Sequence, residues 1–493
     1  MILSLIGHNY RYELEKLVRI FLPFEKIIFT DAEESSDNSA VTVAEKCDSV
    51  TMLKASLNLC GKYSEYHDTV ENFCDNYEKE CERVLAVQLY RCFTEMTGYF
   101  PEWGILTGVR PAKLFSRLSS VGGSEYASSY FKNSLYVSEN KINLCKKAVL
   151  GEEKIISLSK PESFSLYISI PFCPSRCSYC SFVSHSVDRA KSIIPEYVNL
   201  LCREIEITAE ISKKLNLRLE TVYIGGGTPT TLTAEQLSLV MRTVSANFDT
   251  STVREYTVEA GRPDTITAEK LNVIKENGAT RISINPQTMN NAVLAEIGRR
   301  HSAEDTEKAF LLARKCGHNN INMDLIAGLP KDDLDSFKNT LKKVLNLNPE
   351  AVTVHSLSVK RAAGMSKNGQ LPDFETGKTA AQMVEYAEKE LENHGIFPYY
   401  MYRQSKTVGN LENVGYSKSG FEGLYNVYIM DETHTIFACG ASAVTKLRQP
   451  DGDFISRIFN FKYPYEYISR FDEIIKRKAG VSEFYEKYSF RNK

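Results

Sequence analysis

Runs of β-branched and aromatic residues alternate with amphipathic segments through the middle of the chain. Six runs predict strands, at Leu166–Ile170, Thr221–Ile224, Glu255–Glu259, Arg281–Asn285, Asn320–Ile326 and Ala351–Ser356. The intervening segments predict helices, among them Pro195–Leu215, Ala234–Phe248, Ala268–Asn277 and Asp333–Leu347. This alternation favours an α/β fold with a parallel sheet, arranged either as an open, partial barrel or as a doubly wound sheet.

Two polar stretches, Gly151–Ser163 and Lys360–Pro372, are typical of loops that separate domains. Before the first of them, the pattern predicts strands at Ile2–Ile6 and Lys26–Phe29 and a long helix at Glu71–Met96. The segment from Trp103 to Leu114 predicts a packed, turn-rich loop. We therefore expect an N-terminal α+β domain over 1–150, an α/β core over 164–360 and a C-terminal α+β region over 373–493.

Composition is that of an ordinary globular protein, with 43% hydrophobic and 25% charged residues among 493. The net charge of −2 predicts no nucleic-acid partner through bulk electrostatics. The sequence contains no run of about 18 apolar residues, so it predicts no membrane span. The opening residues, MILSLIGHNYRYELEK, predict a folded strand rather than a signal peptide.

Nine of the twelve cysteines are scattered singly, which is not the density of a disulfide scaffold. We expect them to be small buried or half-buried thiols in a reducing compartment, and this predicts a cytoplasmic location. They are Cys47, Cys60, Cys74, Cys81, Cys92, Cys145, Cys202, Cys316 and Cys439.

The other three, Cys173, Cys177 and Cys180, form a CxxxCxxC motif directly after the first predicted core strand. Three thiolates on one short loop can each bind one iron of a cubane cluster, which leaves the fourth iron without a protein ligand. The alternative is a zinc site with His185 as its fourth ligand, five residues beyond the motif.

A glycine-rich turn, Gly225–Thr230, follows the second core strand and exposes backbone groups to close approach by a ligand. Further strands carry polar residues at or near their ends, and a helical region adds Arg299. Because parallel strands end at the same edge of a sheet, we expect these groups to share a pocket with the cysteines. The strand-end residues are Glu259, Gln287 and Asp324.

Six ordered motifs between Leu166 and Ser356 resemble those of the radical S-adenosylmethionine (SAM) superfamily: LYISIPFCPSRCSYCSF, VYIGGGTPT, TVEAGRPD, RISINPQTMN, IGRRH and NMDLIAGLP. More narrowly they resemble the oxygen-independent coproporphyrinogen III oxidase branch, which also contains haem chaperones. The N-terminal WGILTGVRPAKL and the C-terminal NLENVGYSKSGFEGLYNVYIM are similar to the HemZ type of coproporphyrinogen dehydrogenase.

The resemblance implies a partial (β/α)6 barrel that binds a [4Fe–4S] cluster and SAM. It implies that Cys173, Cys177 and Cys180 are the cluster ligands. Tyr167, Gly226 and Glu259 match positions that contact the cluster-bound SAM, Tyr167 and Glu259 being the catalytic candidates. A second SAM or substrate pocket is implied for Tyr179, Gly227, Thr228, Gln287, Arg299 and Asp324.

The implied reaction is the oxidative decarboxylation of coproporphyrinogen III to protoporphyrinogen IX in haem biosynthesis. Its implied partners are the tetrapyrrole and an electron donor such as flavodoxin or ferredoxin. A substrate with four carboxylates requires basic anchors, for which the C-terminal part offers Lys360, Arg361, Arg403 and Lys406. Its tyrosines could flank a macrocycle, but core packing is favoured for Tyr399, Tyr400, Tyr402, Tyr416, Tyr425 and Tyr428.

Three departures from the oxidase pattern concern the substrate rather than the cofactors. The oxidase motif continues to a fourth cysteine where this chain has Phe182, and its histidine after the motif tyrosine is Ser169 here. The oxidase's substrate-covering segment is not recognisable in residues 1–150. Alternatives are therefore a haem chaperone, with His185 and His355 as the nearest axial ligands, a radical SAM enzyme with another substrate, such as a methyltransferase, and a structural metal module.

Overall fold

The strands of the described residues form two large sheets, which lie in different parts of the chain, and one small two-stranded sheet. A computed structural model describes residues 1–34, 36–182, 184–360, 363–367, 372 and 374–489. Contacts divide the chain into two units, Met1–Lys146 with Arg403–Leu411, and Lys147–Tyr402 with Glu412–Lys493. Among the described residues, no helix combines the length and apolar character needed to cross a membrane.

The first unit is built on a five-stranded sheet of order β2-β1-β3-β4-β5. Strand β1 is parallel to β2 and β3, whereas β3, β4 and β5 form an antiparallel meander against which helix α2 packs. Its elements are β1 (Ile2–Ile6), α1 (Arg11–Phe21), β2 (Ile28–Thr30), β3 (Asn38–Lys46), β4 (Val50–Leu59), β5 (Lys62–Glu71), α2 (Tyr77–Thr97) and α3 (Pro111–Ser129), with a π-helical turn at Tyr130–Ser134.

The meander corrects two sequence predictions. The long helix begins at Tyr77 rather than Glu71, because Glu71 ends strand β5. Cys47 and Cys60 lie in the turns that follow β3 and β4, so they are exposed, contrary to the expectation of buried or half-buried thiols. The other seven scattered cysteines are buried or half-buried, as expected, and all twelve are free thiols.

Arg403 is wrong as a substrate anchor, because its guanidinium is buried within the first unit. Its nitrogens donate to the carbonyl oxygens of Leu106 (2.6 Å), Gly108 (3.3 Å) and Asn410 (3.2 Å). It also lies 5.2 Å from the ring centre of Trp103, whose side chain is buried. These contacts confirm the packed loop predicted around Trp103 and show that the Arg403 guanidinium is directed at backbone carbonyls inside the protein rather than at a ligand.

The second unit contains an eleven-stranded sheet of order β14-β15-β13-β12-β11-β10-β9-β6-β16-β17-β18. Helix α4 (Glu139–Ile156) leads into this unit through the predicted Gly151–Ser163 seam, which is therefore helical in its first half. The core elements are β6 (Ser163–Ile170), β7 (Phe172–Cys173), β8 (His185–Ser186), α5 (Val187–Ala190), α6 (Ile194–Lys214), β9 (Arg218–Gly226), α7 (Ala234–Asn247), β10 (Glu255–Glu259), α8 (Ala268–Glu276), β11 (Arg281–Ser283), α9 (Asn291–Glu296), α10 (Ala303–Lys315), β12 (Ile321–Ala327), α11 (Leu334–Asn346) and β13 (Ala351–Ser356).

The six predicted core strands are confirmed as β6, β9, β10, β11, β12 and β13, paired in parallel in that order. This is the order of a half-open α/β barrel with six β/α units, since each strand neighbours the next along the chain. The C-terminal part is α12 (Gly364–Lys367), α13 (Phe374–Asn393), β14 (Phe397–Arg403), β15 (Glu412–Ser417), α14 (Leu424–Asp431), β16 (Thr435–Cys439), β17 (Val444–Arg448), β18 (Ile455–Phe459), α15 (Pro464–Ser469) and α16 (Phe471–Ser489).

The C-terminal strands extend the core sheet on both sides. Strand β15 pairs antiparallel with β13, and β16 pairs parallel with β6. The tyrosines of this part are mostly buried, which confirms core packing for Tyr399, Tyr400, Tyr416, Tyr425 and Tyr428 and leaves Tyr402 half-buried. Part of the predicted Lys360–Pro372 loop, including the candidate anchor Arg361, lies outside the described residues, and helix α12 occupies Gly364–Lys367 within it.

A buried ion pair fastens helix α16 to helix α6. Lys478 Nζ lies 3.0 Å from Glu204 Oε1, and the two side chains are 5% and 0% exposed. The same carboxylate accepts hydrogen bonds from Gly440 N (2.7 Å) and Tyr467 Oη (2.6 Å). Glu204 therefore joins both C-terminal helices to the end of strand β16, beside β6.

Replacing Lys478 with Met is expected to lower the free energy of unfolding by about 3–5 kcal/mol, because it leaves a buried carboxylate without its counter-charge. Urea unfolding followed by circular dichroism measures the loss. Lys476→Met, the same change at an exposed position of α16, is expected to stay within about 0.5 kcal/mol of the wild type. Equal losses in both variants would contradict this account of the ion pair.

Candidate active site

The three-cysteine loop begins where strand β6 ends. Cys173 closes the short strand β7, which pairs with β8 so that Cys173 lies opposite Ser186. The loop turns back on itself, since Cys180 N donates to Cys177 O at 3.1 Å. Its middle is held by Ser178, whose N–H donates to Ile297 O at 3.0 Å. Cys177 is buried, whereas Cys173 and Cys180 are half-buried.

The glycine-rich turn after β9 packs directly on the cysteine loop. Gly227 N donates to Ile170 O, and Thr228 N donates to Phe172 O, both at 2.8 Å. A Cβ atom on Gly227 would lie 2.5 Å from Phe172 O and 3.0 Å from Cys173 Sγ. Glycine is thus required at Gly227 by the contact between the two loops, whether or not a ligand binds there.

Gly226 connects this turn to the carboxylate at the end of β10. Its φ of +108° is a conformation that side chains rarely adopt, and an added Cβ would lie 3.0 Å from Ser169 Oγ. Its backbone N–H interacts with the Glu259 carboxylate and favours the ionised form. The turn therefore presents its backbone to the cysteine loop on one side and to Glu259 on the other.

Two arginines, Arg262 and Arg299, flank the Cys177 thiol. Arg262 Nη1 donates to Cys177 Sγ at 3.0 Å. Burial opposes ionisation, but the positive charges of Arg299 and Arg262 outweigh it and lower the pKa of Cys177 below its ordinary value. Cys180 differs, because burial raises the pKa of its thiol. The site therefore favours a thiolate at Cys177, the form that binds metal.

Arg299 is held rigidly beside the same cysteine. Its Nη1 donates to Asn285 O (2.7 Å) and Gly261 O (3.3 Å), and its Nη2 donates to Tyr179 Oη (3.3 Å). The side chains of Arg299 and Tyr179, expected to line a second pocket, thus lie at the cysteine loop. Thr228 does too, since its hydroxyl donates to Cys173 Sγ at 3.6 Å.

Glu259 lies against a stack of tyrosines. Tyr223 Oη donates to Glu259 Oε1 at 2.6 Å. Burial raises the pKa of Glu259 to about 7; the hydrogen bond from Tyr223 opposes this rise, and the Asp324 carboxylate adds to it. The Tyr223 ring stacks on Tyr425 at 4.6 Å and on Tyr167 at 6.2 Å. The tyrosines therefore form an aromatic wall beside a carboxyl group that titrates near neutrality.

Asp324 and Gln287 lie further along the same edge of the sheet. Asn322 Nδ2 donates to Asp324 Oδ1 at 2.7 Å, and His355 Nε2 lies 3.8 Å from Oδ2. Burial opposes ionisation of Asp324, but the neighbouring His355 holds the pKa of Asp324 below its ordinary value. Gln287 has a φ of +69° and donates its N–H to Asp324 O at 2.9 Å. Such backbone strain in a non-glycine residue is concentrated at functional sites.

Several buried polar atoms at these strand ends have no hydrogen-bond partner among the described residues. They are Ser169 Oγ, Ser283 Oγ and Asn285 Oδ1. Ser283 is in register with Glu259 on β10, and Ser169 with Gly225 on β9. Because buried polar groups in proteins are normally paired, these atoms fit a polar ligand between Glu259 and the cysteine loop.

No group of three or more His, Cys, Asp or Glu side chains in the described part of the chain is placed to share a single metal ion. A cubane cluster makes a different demand, because each thiolate binds its own iron and the ligands surround the cluster. Three thiols on one loop, with Cys177 biased toward the thiolate, fit that demand.

Sequence reasoning missed Arg262, which stands within the quoted TVEAGRPD motif, three residues after Glu259. It also missed Tyr223, and it named Tyr425 only among the C-terminal tyrosines for which core packing was favoured. The alternation of β9 signals Tyr223, which lies opposite Tyr167 in the paired strand. Arg262 carries no such signal, because its target, Cys177, is 85 residues away along the chain.

Comparisons with known proteins agree with this geometry. The model of the Radical SAM superfamily matches residues 167–344. The chain is 39% identical to the oxygen-independent coproporphyrinogen-III oxidase-like protein HemZ of Bacillus subtilis over 82% of each chain. It is 32% identical to the heme chaperone HemW of the same organism, over 56% of this chain and 70% of HemW.

The fold is also similar to the solved structure of the coproporphyrinogen III oxidase HemN from Escherichia coli, a radical SAM enzyme. The TM-score is 0.51 at 22% identity, over 66% of this chain and 72% of HemN. This likeness confirms the predicted radical SAM fold. The superfamily uses a [4Fe–4S] cluster and SAM, which favours the cluster over the zinc alternative.

Tyr223→Phe is expected to raise the pKa of Glu259 above about 7, by about one unit, because a hydrogen bond that stabilises the carboxylate is lost. Glu259 would then stay protonated to higher pH. The carboxyl signal in ¹³C-glutamate-labelled protein, assigned with Glu259→Gln, reports the titration. Tyr425→Phe removes a stacked hydroxyl but keeps the Tyr223 hydrogen bond, so its titration should match the wild type. A lower midpoint in Tyr223→Phe would refute this account.

Proposed function

The chain belongs to the radical SAM superfamily, in the group of HemZ-like relatives of the oxygen-independent coproporphyrinogen III oxidases, and on that premise we propose that it oxidatively decarboxylates coproporphyrinogen III to protoporphyrinogen IX. The observation that carries the proposal is the three-cysteine loop, packed against a glycine turn beside Glu259. The 39% identity to a coproporphyrinogen-III oxidase-like protein over 82% of the chain supports the tetrapyrrole substrate.

In this proposal Cys173, Cys177 and Cys180 hold the [4Fe–4S] cluster and leave one iron open. Bound there, SAM would supply a 5′-deoxyadenosyl radical that takes one hydrogen atom from a propionate side chain. Loss of CO2 and of one electron to an acceptor would complete each vinyl group. An external donor such as flavodoxin or ferredoxin would provide the electron that starts each turnover, and the twelve free thiols suit a cytoplasmic setting.

The chain's own residues bind and orient the cofactor. Glu259, ionised above about pH 7, would accept hydrogen bonds from the cationic methionyl end of SAM. The backbone of Gly226 would line the same end of the cofactor. The unpartnered oxygens of Ser169 and Ser283 would face its polar atoms. The Tyr167–Tyr223–Tyr425 stack would exclude water from the radical, which protects the reaction from side products.

A haem chaperone is the second candidate, because the chain is also 32% identical to HemW. Of the two residues that depart from the oxidase pattern, Ser169 lies at the end of strand β6 and Phe182 follows the cysteine loop. His185 packs edge-on against Tyr463 and Tyr465, and His355 lies beside Asp324.

Anaerobically reconstituted protein with SAM, a reductant and coproporphyrinogen III is expected to release CO2, pass through a tricarboxylic intermediate and form protoporphyrinogen IX. Chromatography of the porphyrins and ¹⁴CO2 release measure the reaction. Cys177→Ala should lose cluster and product because it removes a cluster ligand. Cys202→Ala, a buried thiol on helix α6, should keep both.

Cleavage of SAM and tight binding of haem, without any decarboxylated porphyrin, would overturn the oxidase proposal in favour of the chaperone. Full cluster content in Cys177→Ala would overturn the ligand assignment itself.

A further inference from the structure

One guanidinium, that of Arg262, reaches the cysteine loop from beyond the end of strand β10. Arg262 is 4% exposed and lies just after strand β10. Besides donating to Cys177 Sγ at 3.0 Å, it donates through Nη2 to Ser175 O at 3.3 Å and to Ser175 Oγ. Asp264 Oδ1 lies 3.6 Å from its Nε. Arg262 thus binds the loop at two points, and one of them is the sulfur atom itself.

The sulfur atoms of Cys177 and Cys173 have different hydrogen-bond environments. Cys177 accepts from a buried cation, and a second buried guanidinium, that of Arg299, lies beside it. Cys173 Sγ accepts a hydrogen bond from the neutral hydroxyl of Thr228 at the longer distance of 3.6 Å. Hydrogen bonds from charged groups are the stronger kind, so the sulfur of Cys177 is polarised more strongly than that of Cys173.

We infer that Arg262 is a positioning residue that raises the reduction potential of the iron–sulfur cluster through its hydrogen bond to Cys177. A donor on a ligating sulfur withdraws electron density, and a nearby positive charge stabilises the extra negative charge of the reduced cluster. Both effects make the cluster easier to reduce. The inference rests on the proposed role of Cys177 as a cluster ligand.

The same side chain also braces the loop, so a purely structural role must be separable from tuning. Ser175 provides the control. Ser175→Ala removes the side-chain acceptor of Arg262, and the hydroxyl that donates to Gly298 O at 3.0 Å, but leaves the hydrogen bond to Cys177 in place. If Arg262 acts only by bracing, the two variants should behave alike.

The test is a redox titration, monitored by electron paramagnetic resonance, of reconstituted wild type, Arg262→Met and Ser175→Ala with matched iron and sulfide content. At the wild-type midpoint, the ratio of reduced to oxidised cluster should fall about tenfold in Arg262→Met, which corresponds to about 59 mV for a one-electron couple. The midpoint potential of Arg262→Lys, which keeps a charge, should lie between those of the wild type and Arg262→Met. Ser175→Ala should stay at the wild-type potential.

A wild-type potential in Arg262→Met, or an equal shift in Ser175→Ala, would overturn the inference. If Arg262→Met fails to hold the cluster, Arg262→Gln replaces it in the titration. Its midpoint potential should also fall below that of the wild type, because an amide can still bond to polar partners but carries no charge. Failure of the proposed ligand assignment looks different, because the wild type itself would then bind no cluster. Failure of the oxidase proposal alone leaves the cluster and these potentials in place and shows only in the porphyrin assay.

Discussion

The contact between the end of strand β6 and the turn after β9 is the constraint on which the site depends. Two backbone hydrogen bonds, from Gly227 and Thr228, join the glycine turn to the residues that flank Cys173. The turn can approach only because Gly227 has no side chain. This contact fixes the cysteine loop above the sheet and, through Gly226, ties it to Glu259. Cluster ligands and SAM contacts would therefore be positioned by one piece of backbone.

Charge is distributed unevenly around that contact. The cysteine side carries two buried guanidiniums, Arg262 and Arg299, which favour a thiolate at Cys177. The other side carries Glu259 and Asp324, two carboxyl groups close enough for one to raise the pKa of the other. A cluster with net negative charge suits the first environment, and a cationic cofactor suits the second. The separation of charge thus matches the two partners of the family's chemistry.

Local patterns in the sequence predicted the six core strands and the cysteine loop, because each depends on residues close together along the chain. They did not predict contacts between residues that are far apart in sequence. Strand β16 lies beside β6 although Thr435 and Phe164 are far apart in sequence, and Arg262 reaches Cys177 across 85 residues. Arg403 illustrates the same limit, because a basic residue in a plausible segment folded inward onto backbone carbonyls. Charge alone did not distinguish an anchor from a packing residue.

The central claim is that three cysteines hold a cubane cluster whose fourth iron is open to SAM. Electron paramagnetic resonance of the dithionite-reduced, reconstituted protein, recorded with and without SAM, tests it most directly. The account predicts a [4Fe–4S]⁺ signal whose g values change when SAM is added, because SAM binds the open iron. A cluster signal that SAM leaves unchanged, with no 5′-deoxyadenosine formed, would contradict the account.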